Sequence, residues 1–281
     1  MTTLDFQHSS GIYYTALVAA GTRPRRDPLA EHFGKKYKSI LPITGQPMLS
    51  HVLKALLRSP RIVRVIILTQ ESDPLTKAEG LEWIAEDDRI AFWTSGSSLS
   101  QSLIKAITME YGYPFLVTTA DHPLLTPEIL EEFIRKSEQE RADLTVGMVE
   151  RETMIHQYPD NREVRQRTWL KFRSGSWSGC NLFAFYSKNV VPALELWTRF
   201  EKERKKPWKL MQAFGWPLLL MLILRRLTVK QALNKAGNKL GLRASPVALS
   251  QAEAAIDVDK LSDYETVTNI LEQRIVETLD T

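Results

Sequence analysis

The chain has 281 residues, 43% of them hydrophobic, which is enough to bury a full core as one large domain or one domain with an appendage. Its formal net charge is only +4. The cations concentrate in residues 23–38 and 202–209, which favours local anion sites over the broad basic surface of a nucleic-acid-binding protein. Cys180 is the only cysteine, which excludes an intramolecular disulfide and a cysteine-rich zinc site.

Apolar, β-rich runs alternate with helical periodicities through the first half of the chain. The predicted strands are Tyr14–Ala20, Val63–Leu68, Ile90–Trp93 and Pro114–Thr119. The predicted helices are Pro47–Leu57, Pro74–Ala85, Ser100–Tyr111 and Pro127–Glu138. Such alternation is typical of βαβ units and a mostly parallel sheet, in which ligands bind outside the carboxyl ends of the strands.

The second half of the chain contains fewer strands and more helices. The predicted strands are Asp143–Val149, Thr168–Phe172 and Ser178–Phe185, and the predicted helices are Val190–Lys205, Pro207–Arg226, Thr228–Leu240 and Ser262–Leu279. The sequence has no internal repeat or low-complexity tract. We therefore expect a single α/β domain over residues 1–281, with a helical insertion over residues 187–241.

A glycine turn follows the first predicted strand. The apolar run to Ala20 ends at Gly21 and continues as a basic loop to Lys38. Glycine allows the backbone to approach a ligand and to adopt φ > 0, and the surrounding cations suit a polyphosphate. The loop has neither the G-x-G-x-x-G of dinucleotide folds nor the G-K-[ST] of a P-loop. A single glycine is equally compatible with an ordinary βα turn surrounded by solvated basic residues.

Three aspartates are candidate ligands of a hard cation. Asp121 directly follows the fourth predicted strand, where a carboxylate can hold Mg²⁺ or can cap a turn before Pro123. Asp257 and Asp259 alternate along a short predicted strand, so both side chains share one face, and Asp263 is placed to cap the next helix. The adjacent His122 is more consistent with turn packing, because Mg²⁺ prefers oxygen ligands.

A serine-rich loop precedes the predicted helix Ser100–Tyr111. It contains Gly96, Ser98 and Ser102 and offers donors for a nucleobase or ribose. A serine cap of the helix explains the same residues.

One segment, Phe214–Leu224, is strongly apolar and lies between the basic residues of 202–209 and Arg225-Arg226. An apolar helix with Arg, Lys and Trp at its ends can lie at a membrane interface, so peripheral membrane contact stays open. The segment is too short to span a bilayer, and we expect a buried core helix. With no signal-peptide pattern and no membrane-spanning run, we expect a cytoplasmic protein.

Four motifs follow one another along the chain: Ala19-Ala-Gly-Thr-Arg23, Lys38-Ser-Ile-Leu-Pro-Ile-Thr-Gly-Gln-Pro-Met-Leu49, Thr119-Ala-Asp-His-Pro-Leu-Leu125 and Asp257-Val-Asp-Lys-Leu-Ser-Asp263. In this order they resemble the motifs of the MobA-like nucleotidyltransferases. The resemblance implies a Rossmann-like, GT-A type fold. It also implies transfer of a nucleoside monophosphate from a nucleoside triphosphate, CTP first and GTP second, to a phosphorylated small molecule, with release of pyrophosphate. The implied cofactor is Mg²⁺, with Mn²⁺ as an alternative, and residues 187–241 become an acceptor-side subdomain.

The resemblance also implies roles for individual residues. Lys38, Arg23 and Asp121 would be catalytic, and Asp121, Asp259 and Asp257 would bind the metal. The residues implied to bind the nucleotide are Ala19, Ala20, Gly21, Thr22, Arg23, Lys38, Gly96, Ser98, Ser102, Thr119 and Ala120. The sequence departs from the family pattern at Pro24–Ala30, which replaces the usual second glycine and lengthens the phosphate loop.

Two other functions remain open from the sequence. Asp257-Val-Asp259 spells the D-x-D of a glycosyltransferase of related fold, although it comes late in the chain. A catalytically inert nucleotide-binding regulator or membrane adaptor is the second alternative.

Overall fold

The computed structural model describes residues 11–22, 27–96, 98–109, 112–161, 167–202 and 214–279. Within these residues the main sheet has the strand order β10-β7-β9-β6-β1-β4-β5, with β8 paired to β9. Its strands are β1 (Tyr14–Ala19), β4 (Ile62–Thr69), β5 (Ile90–Thr94), β6 (Phe115–Thr119), β7 (Leu144–Glu150), β8 (Leu170–Phe172), β9 (Gly175–Phe185) and β10 (Ala244–Ala248). A separate hairpin pairs β2 (Pro42–Ile43) with β3 (Gln46–Pro47).

The pairing confirms the mostly parallel sheet. β1 pairs in parallel with both β4 and β6, and β4 pairs in parallel with β5. β9 runs against β6, β7 and β8 and so makes the sheet mixed. The carboxyl ends of β1, β4, β5 and β6 consequently lie along one edge of the sheet.

Helices cover both faces of the sheet. They are α1 (Pro28–His32), α2 (Met48–Arg58), α3 (Asp73–Thr76), α4 (Leu99–Met109), α5 (Pro127–Glu140), α6 (Arg151–Gln157), α7 (Val191–Lys202), α8 (Trp216–Ile223), α9 (Val229–Lys239) and α10 (Leu261–Leu279). Successive side chains of β1 point to opposite faces of the sheet. Ala16 and Val18 therefore pack in a core cluster with α2 and α5, whereas Leu17 packs in a second cluster with α4.

Several predicted elements differ from the observed ones. The single helix predicted over Pro74–Ala85 is wrong: α3 and a 3₁₀ turn, Glu82–Ala85, are separated by Gly80, whose φ is +83°. Helix α6 and strand β10 were not predicted. β10 contains Pro246, which a strand accommodates because β10 lies at the edge of the sheet.

The helix of the apolar segment is not a buried core helix, so that expectation is wrong. Only Leu218 of α8 is buried, in a small cluster with Leu227 and Ala232, whereas Leu220 is 40% exposed. The predicted helix also included residues 207–213, which lie outside the described residues. None of the described helices is long and apolar enough to cross a membrane.

Candidate active site

The candidate site lies at the carboxyl edge of the sheet, around the ends of β1 and β6. The two strands pair up to Ala19 and Thr119, and the chain continues the ladder with a hydrogen bond of 3.0 Å from the Ala120 N–H to the Ala19 carbonyl. On the other side, the Ala20 N–H donates to the Leu68 carbonyl at 2.9 Å. Gly21 and Asp121 therefore leave neighbouring strands at the same level, as the strand order predicts.

Gln70 holds the glycine turn. Its side-chain amide accepts a hydrogen bond from the Thr22 N–H at 3.0 Å and donates to the Thr22 carbonyl at 2.9 Å. A Cβ at Gly21 would lie 2.9 Å from both terminal atoms of the Gln70 amide. Gly21 does not adopt a positive φ, so a larger residue here would displace the end of the Gln70 side chain and would not strain the backbone.

Lys38 lies at the centre of the site. A 3₁₀ turn, Lys38–Ile40, carries it. Its ammonium donates to Asp121 Oδ2 at 2.7 Å, to the Val258 carbonyl at 2.8 Å and to Asp259 Oδ1 at 3.2 Å. One cation thus connects the end of β6 with the segment that precedes α10. The structure therefore brings together three residues that the sequence placed in separate motifs.

Asp121 is held as a carboxylate by this ammonium. Its side chain is 19% exposed and that of Lys38 is 17% exposed. Burial raises the pKa of Asp121, but the charge and the hydrogen bond of Lys38, together with neighbouring polar groups, outweigh burial, and the net pKa lies below its usual value. The second oxygen, Oδ1, is buried and has no hydrogen-bond partner among the described residues. Asp121 thus has one oxygen committed to Lys38 and one available.

The Asp257–Asp259 segment is irregular, so the short strand predicted there is wrong. That both aspartates share one face stays a prediction. Val258 is fully buried, and its N–H donates to the Asp121 carbonyl at 2.9 Å. Asp259 is 63% exposed at its side chain. Asp263, in the first turn of α10, accepts hydrogen bonds from the N–H groups of Asp259 and Lys260 at 3.1 Å. It therefore fixes the turn that presents Asp259.

Asp257 differs from the other two aspartates because both of its oxygens are engaged. Oδ1 pairs with the Arg167 guanidinium, and Oδ2 accepts a hydrogen bond from Asn181 Nδ2 at 3.0 Å. Burial raises the pKa of Asp257, and the nearby charges of Asp121 and Asp259 raise it further. Its predicted role as a metal ligand stays a prediction, and its contacts are those of a residue that orders the site.

The serine loop is closed by its own side chains. The Ser102 hydroxyl is buried, accepts from the Gly96 N–H at 2.8 Å and donates to the Ser98 carbonyl at 2.9 Å. Ser98 Oγ accepts from the Gln101 N–H at 3.3 Å, which is a helix cap for α4. These contacts are those of the capping alternative, and base or ribose recognition at Gly96, Ser98 and Ser102 stays a prediction.

The basic loop is described only in part. Arg23, predicted to be catalytic and to bind phosphate, lies outside the described residues with 24–26. Lys36 forms an exposed ion pair with Glu71 at 2.7 Å.

Sequence reasoning did not select Gln70, Arg167 or Asn181. Gln70 directly follows β4, so the same strand-end argument that selected Gly21 and Asp121 could have found it. Asn181 has φ +50° within β9, near a register shift between β7 and β9, and Arg167 precedes β8. No motif marks these two residues.

His122 is a buried structural residue, as its turn position suggested. It is 1% exposed, and Nε2 lies 3.2 Å from the Glu253 carbonyl. Burial lowers its pKa to about 4. The ring is therefore neutral near pH 7, and its Nε2–H donates to the carbonyl.

Acidification should destabilise the protein through His122. Because the folded pKa of about 4 lies below the unfolded value of about 6.5, the unfolded state binds the proton first as the pH falls. We expect a loss of about 3 kcal/mol of unfolding free energy between these two pH values. Denaturant unfolding of wild type and His122→Gln in metal-free buffer measures it. The variant should lose less stability over this range, whereas His32→Gln, at an exposed position, should behave as wild type; equal slopes for wild type and His122→Gln would contradict the assignment.

Comparisons with known proteins agree with the fold. The model of the MobA-like NTP transferase domain matches residues 16–218, a range that includes Gly21, Lys38 and Asp121 but ends before Asp257 and Asp259. No curated protein matches the sequence significantly.

Solved structures resemble nearly the whole chain. A hypothetical transferase from Thermus thermophilus is 28% identical, with a TM-score of 0.71, over 90% of this chain and 100% of that one. A 4-diphosphocytidyl-2C-methyl-D-erythritol synthase from Anaerococcus prevotii is 11% identical, with a TM-score of 0.56, over 94% and 97% of the two chains. A CMP:2-keto-3-deoxy-manno-octonic acid synthetase in complex with CTP is 13% identical, with a TM-score of 0.53, over 94% and 100%.

Proposed function

The chain belongs to the MobA-like NTP transferase family, and we propose that it is a nucleotidyltransferase that joins a nucleoside monophosphate to a phosphorylated small molecule. The nucleoside triphosphate donates the monophosphate, and pyrophosphate leaves. CTP is the first candidate donor and GTP the second. One of the structurally similar proteins was solved in complex with CTP, and another is named for a diphosphocytidyl product. Both support CTP as the first donor to test.

The observation that carries this proposal is the contact of Lys38 with Asp121 and Asp259. A cation and two carboxylates meet at the carboxyl edge of a parallel sheet, next to the turn at Gly21. This edge is where open α/β sheets bind their ligands. A structural ion pair alone does not need a second, mostly exposed carboxylate on the same ammonium, so the arrangement favours a site for charged substrates.

The residues present fit a magnesium ion. Carboxylate oxygens are hard ligands, and Mg²⁺ is usually held by one or two carboxylates together with water and substrate phosphates. Asp121 Oδ1 is buried without a described partner, and Asp259 is exposed beside it. No group of three or more His, Cys, Asp or Glu in the described ranges is placed to hold a metal, so Asp121 and Asp259 would act as a pair. The ion, when bound, neutralises phosphate charge and stabilises the leaving pyrophosphate.

The proposed reaction needs positioning more than proton transfer. A phosphate oxygen of the acceptor is already an anion, so it attacks the α-phosphorus without a general base. The new bond joins this oxygen to the α-phosphorus, and the bond to the bridging oxygen of the β-phosphate breaks with its electron pair leaving on pyrophosphate. The main barrier is repulsion between anions, and in the proposed reaction the Lys38 ammonium reduces it.

Pyrophosphate release tests the proposal directly. Four nucleoside triphosphates should be incubated, each with phosphorylated polyols, sugars and pterins, with and without Mg²⁺. We expect pyrophosphate only when one donor, one acceptor class and the metal are present together. Reactions without acceptor are the control for simple hydrolysis. Release of a nucleoside diphosphate from a nucleotide sugar would contradict the proposal in favour of glycosyl transfer, and no product from any pair would favour an inert nucleotide-binding protein.

A further inference from the structure

The outer face of α8 is an exposed apolar surface. Trp216 is 58% exposed, Ile223 is 72% exposed, and Leu220 lies between them on the same side of the helix. Leu224, directly after the helix, extends the surface. The opposite side of α8 packs through Leu218 against Leu227 and Ala232. Large apolar side chains that are exposed together on a protein surface often mark a binding site. We call these four residues the outer face.

The stretch of chain that carries the outer face is basic. From Phe214 to Ala252 the sequence has no Asp or Glu and six Lys or Arg. Arg225 and Arg226 follow the outer face directly, and Lys235 and Lys239 lie on α9, which packs against α8. All four side chains are exposed. In the described ranges no carboxylate forms an ion pair with any of these four cations, whereas Lys230 and Arg243 pair with Glu140 and Asp143.

We propose that α8 docks on the surface of an anionic lipid bilayer. At eight residues the helix is about 12 Å long, far short of the roughly 30 Å hydrocarbon core, so it lies in the plane of the interface. Trp216, Leu220 and Ile223 enter the acyl boundary, and the surrounding cations face lipid phosphates.

Charge decides between a bilayer and a second copy of the chain. A two-fold interface would place the same basic patch on both subunits, so the cations Arg225, Arg226, Lys235 and Lys239 of one subunit would face those of the other. Within the described residues, none of these four cations has a carboxylate partner that would offset this repulsion. An anionic lipid surface complements both the apolar side chains and the cations.

Vesicle sedimentation tests the docking surface. The wild-type chain should bind phosphatidylglycerol-containing vesicles, bind phosphatidylcholine vesicles less well, and release from the former at high salt. The double variant Leu220→Ser, Ile223→Ser should bind at least about tenfold more weakly, because both side chains are exposed and contribute to the docking surface. Arg226→Gln should weaken binding about fivefold.

Matched controls lie near the other edge of the sheet. Val63→Ser removes an apolar side chain of similar exposure from β4, and Lys77→Gln removes an exposed cation. Both should bind vesicles as wild type, and circular dichroism should show that every variant folds. Sedimentation and circular dichroism do not require turnover, so the test does not depend on the proposed function.

Three results would overturn this inference. They are a wild-type chain that ignores anionic vesicles, a double variant that binds them normally, and a concentration-dependent dimer that the double variant abolishes. The last result would assign the outer face to a second copy of the chain.

Discussion

Replacing Asp121 by asparagine should lower kcat by at least about a thousandfold while the protein stays folded. The substitution keeps the size of the side chain but removes the charge that, in the proposed site, binds the metal. The Lys38 ammonium keeps its hydrogen bonds to the Val258 carbonyl and Asp259. The free energy of unfolding should therefore fall by about 2 kcal/mol, which is the contribution of one charged hydrogen bond. Steady-state kinetics and denaturant unfolding measure the two effects.

Asp87→Asn is the matched control for this experiment. Asp87 is 22% exposed and pairs with Arg89 at 2.8 Å, so it resembles Asp121 in exposure and in having a cationic partner, but it lies before β5 and away from the site. Its variant should keep normal turnover. Near-normal turnover of folded Asp121→Asn would show that this carboxylate is not part of the catalytic machinery.

Replacing Lys38 by methionine should lower kcat by at least about a hundredfold, and by more than it raises the KM for the nucleotide. The reason is that charge on the α-phosphate and leaving group grows towards the transition state, so the ammonium acts mainly there. An unchanged kcat with a higher KM would instead make Lys38 a substrate-binding residue.

The same substitution should also make stability depend on pH in a defined direction. Without the ammonium, burial raises the pKa of Asp121, because burial already opposes its charge in the wild type. A folded pKa above the unfolded value means that stability is lost as the pH rises through the folded pKa. Lys38→Met should therefore be most destabilised near pH 7, by about 2 to 3 kcal/mol, and should recover towards wild type on acidification in metal-free buffer.

The double variant Lys38→Met, Asp121→Asn completes the cycle. It removes the uncompensated carboxylate, so it should be more stable at pH 7 than Lys38→Met alone. A strictly additive loss of stability would mean that the two side chains do not interact as their 2.7 Å contact indicates.

The sequence by itself determined the features that depend on local patterns. Alternating apolar runs and helical periodicities predicted β1, β4, β5 and β6 to within a residue or two, because buried parallel strands need nearly continuous apolar side chains. Strand ends then located Gly21 and Asp121, since parallel strands finish at one edge. The ordered motifs also pointed to the family that the comparisons support.

The family resemblance assigned Lys38, Asp121 and Asp259 to one site, but only the tertiary structure decided their contacts and which faces are covered. The contacts of Lys38 with Asp121 and Asp259 span 83 and 221 positions of sequence, and no local pattern encodes such separations. Arg167 and Asn181 reach Asp257 in the same way.

The sequence did not predict β10 because Pro246 argues against a strand, and only the position of β10 at the edge of the sheet makes the proline acceptable. The apolar segment looked like core because the hydrophobicity of a helix does not show which of its sides a neighbouring element covers. The packing of α9 against one side of α8 left the other side exposed, and that outcome depends on tertiary contacts alone.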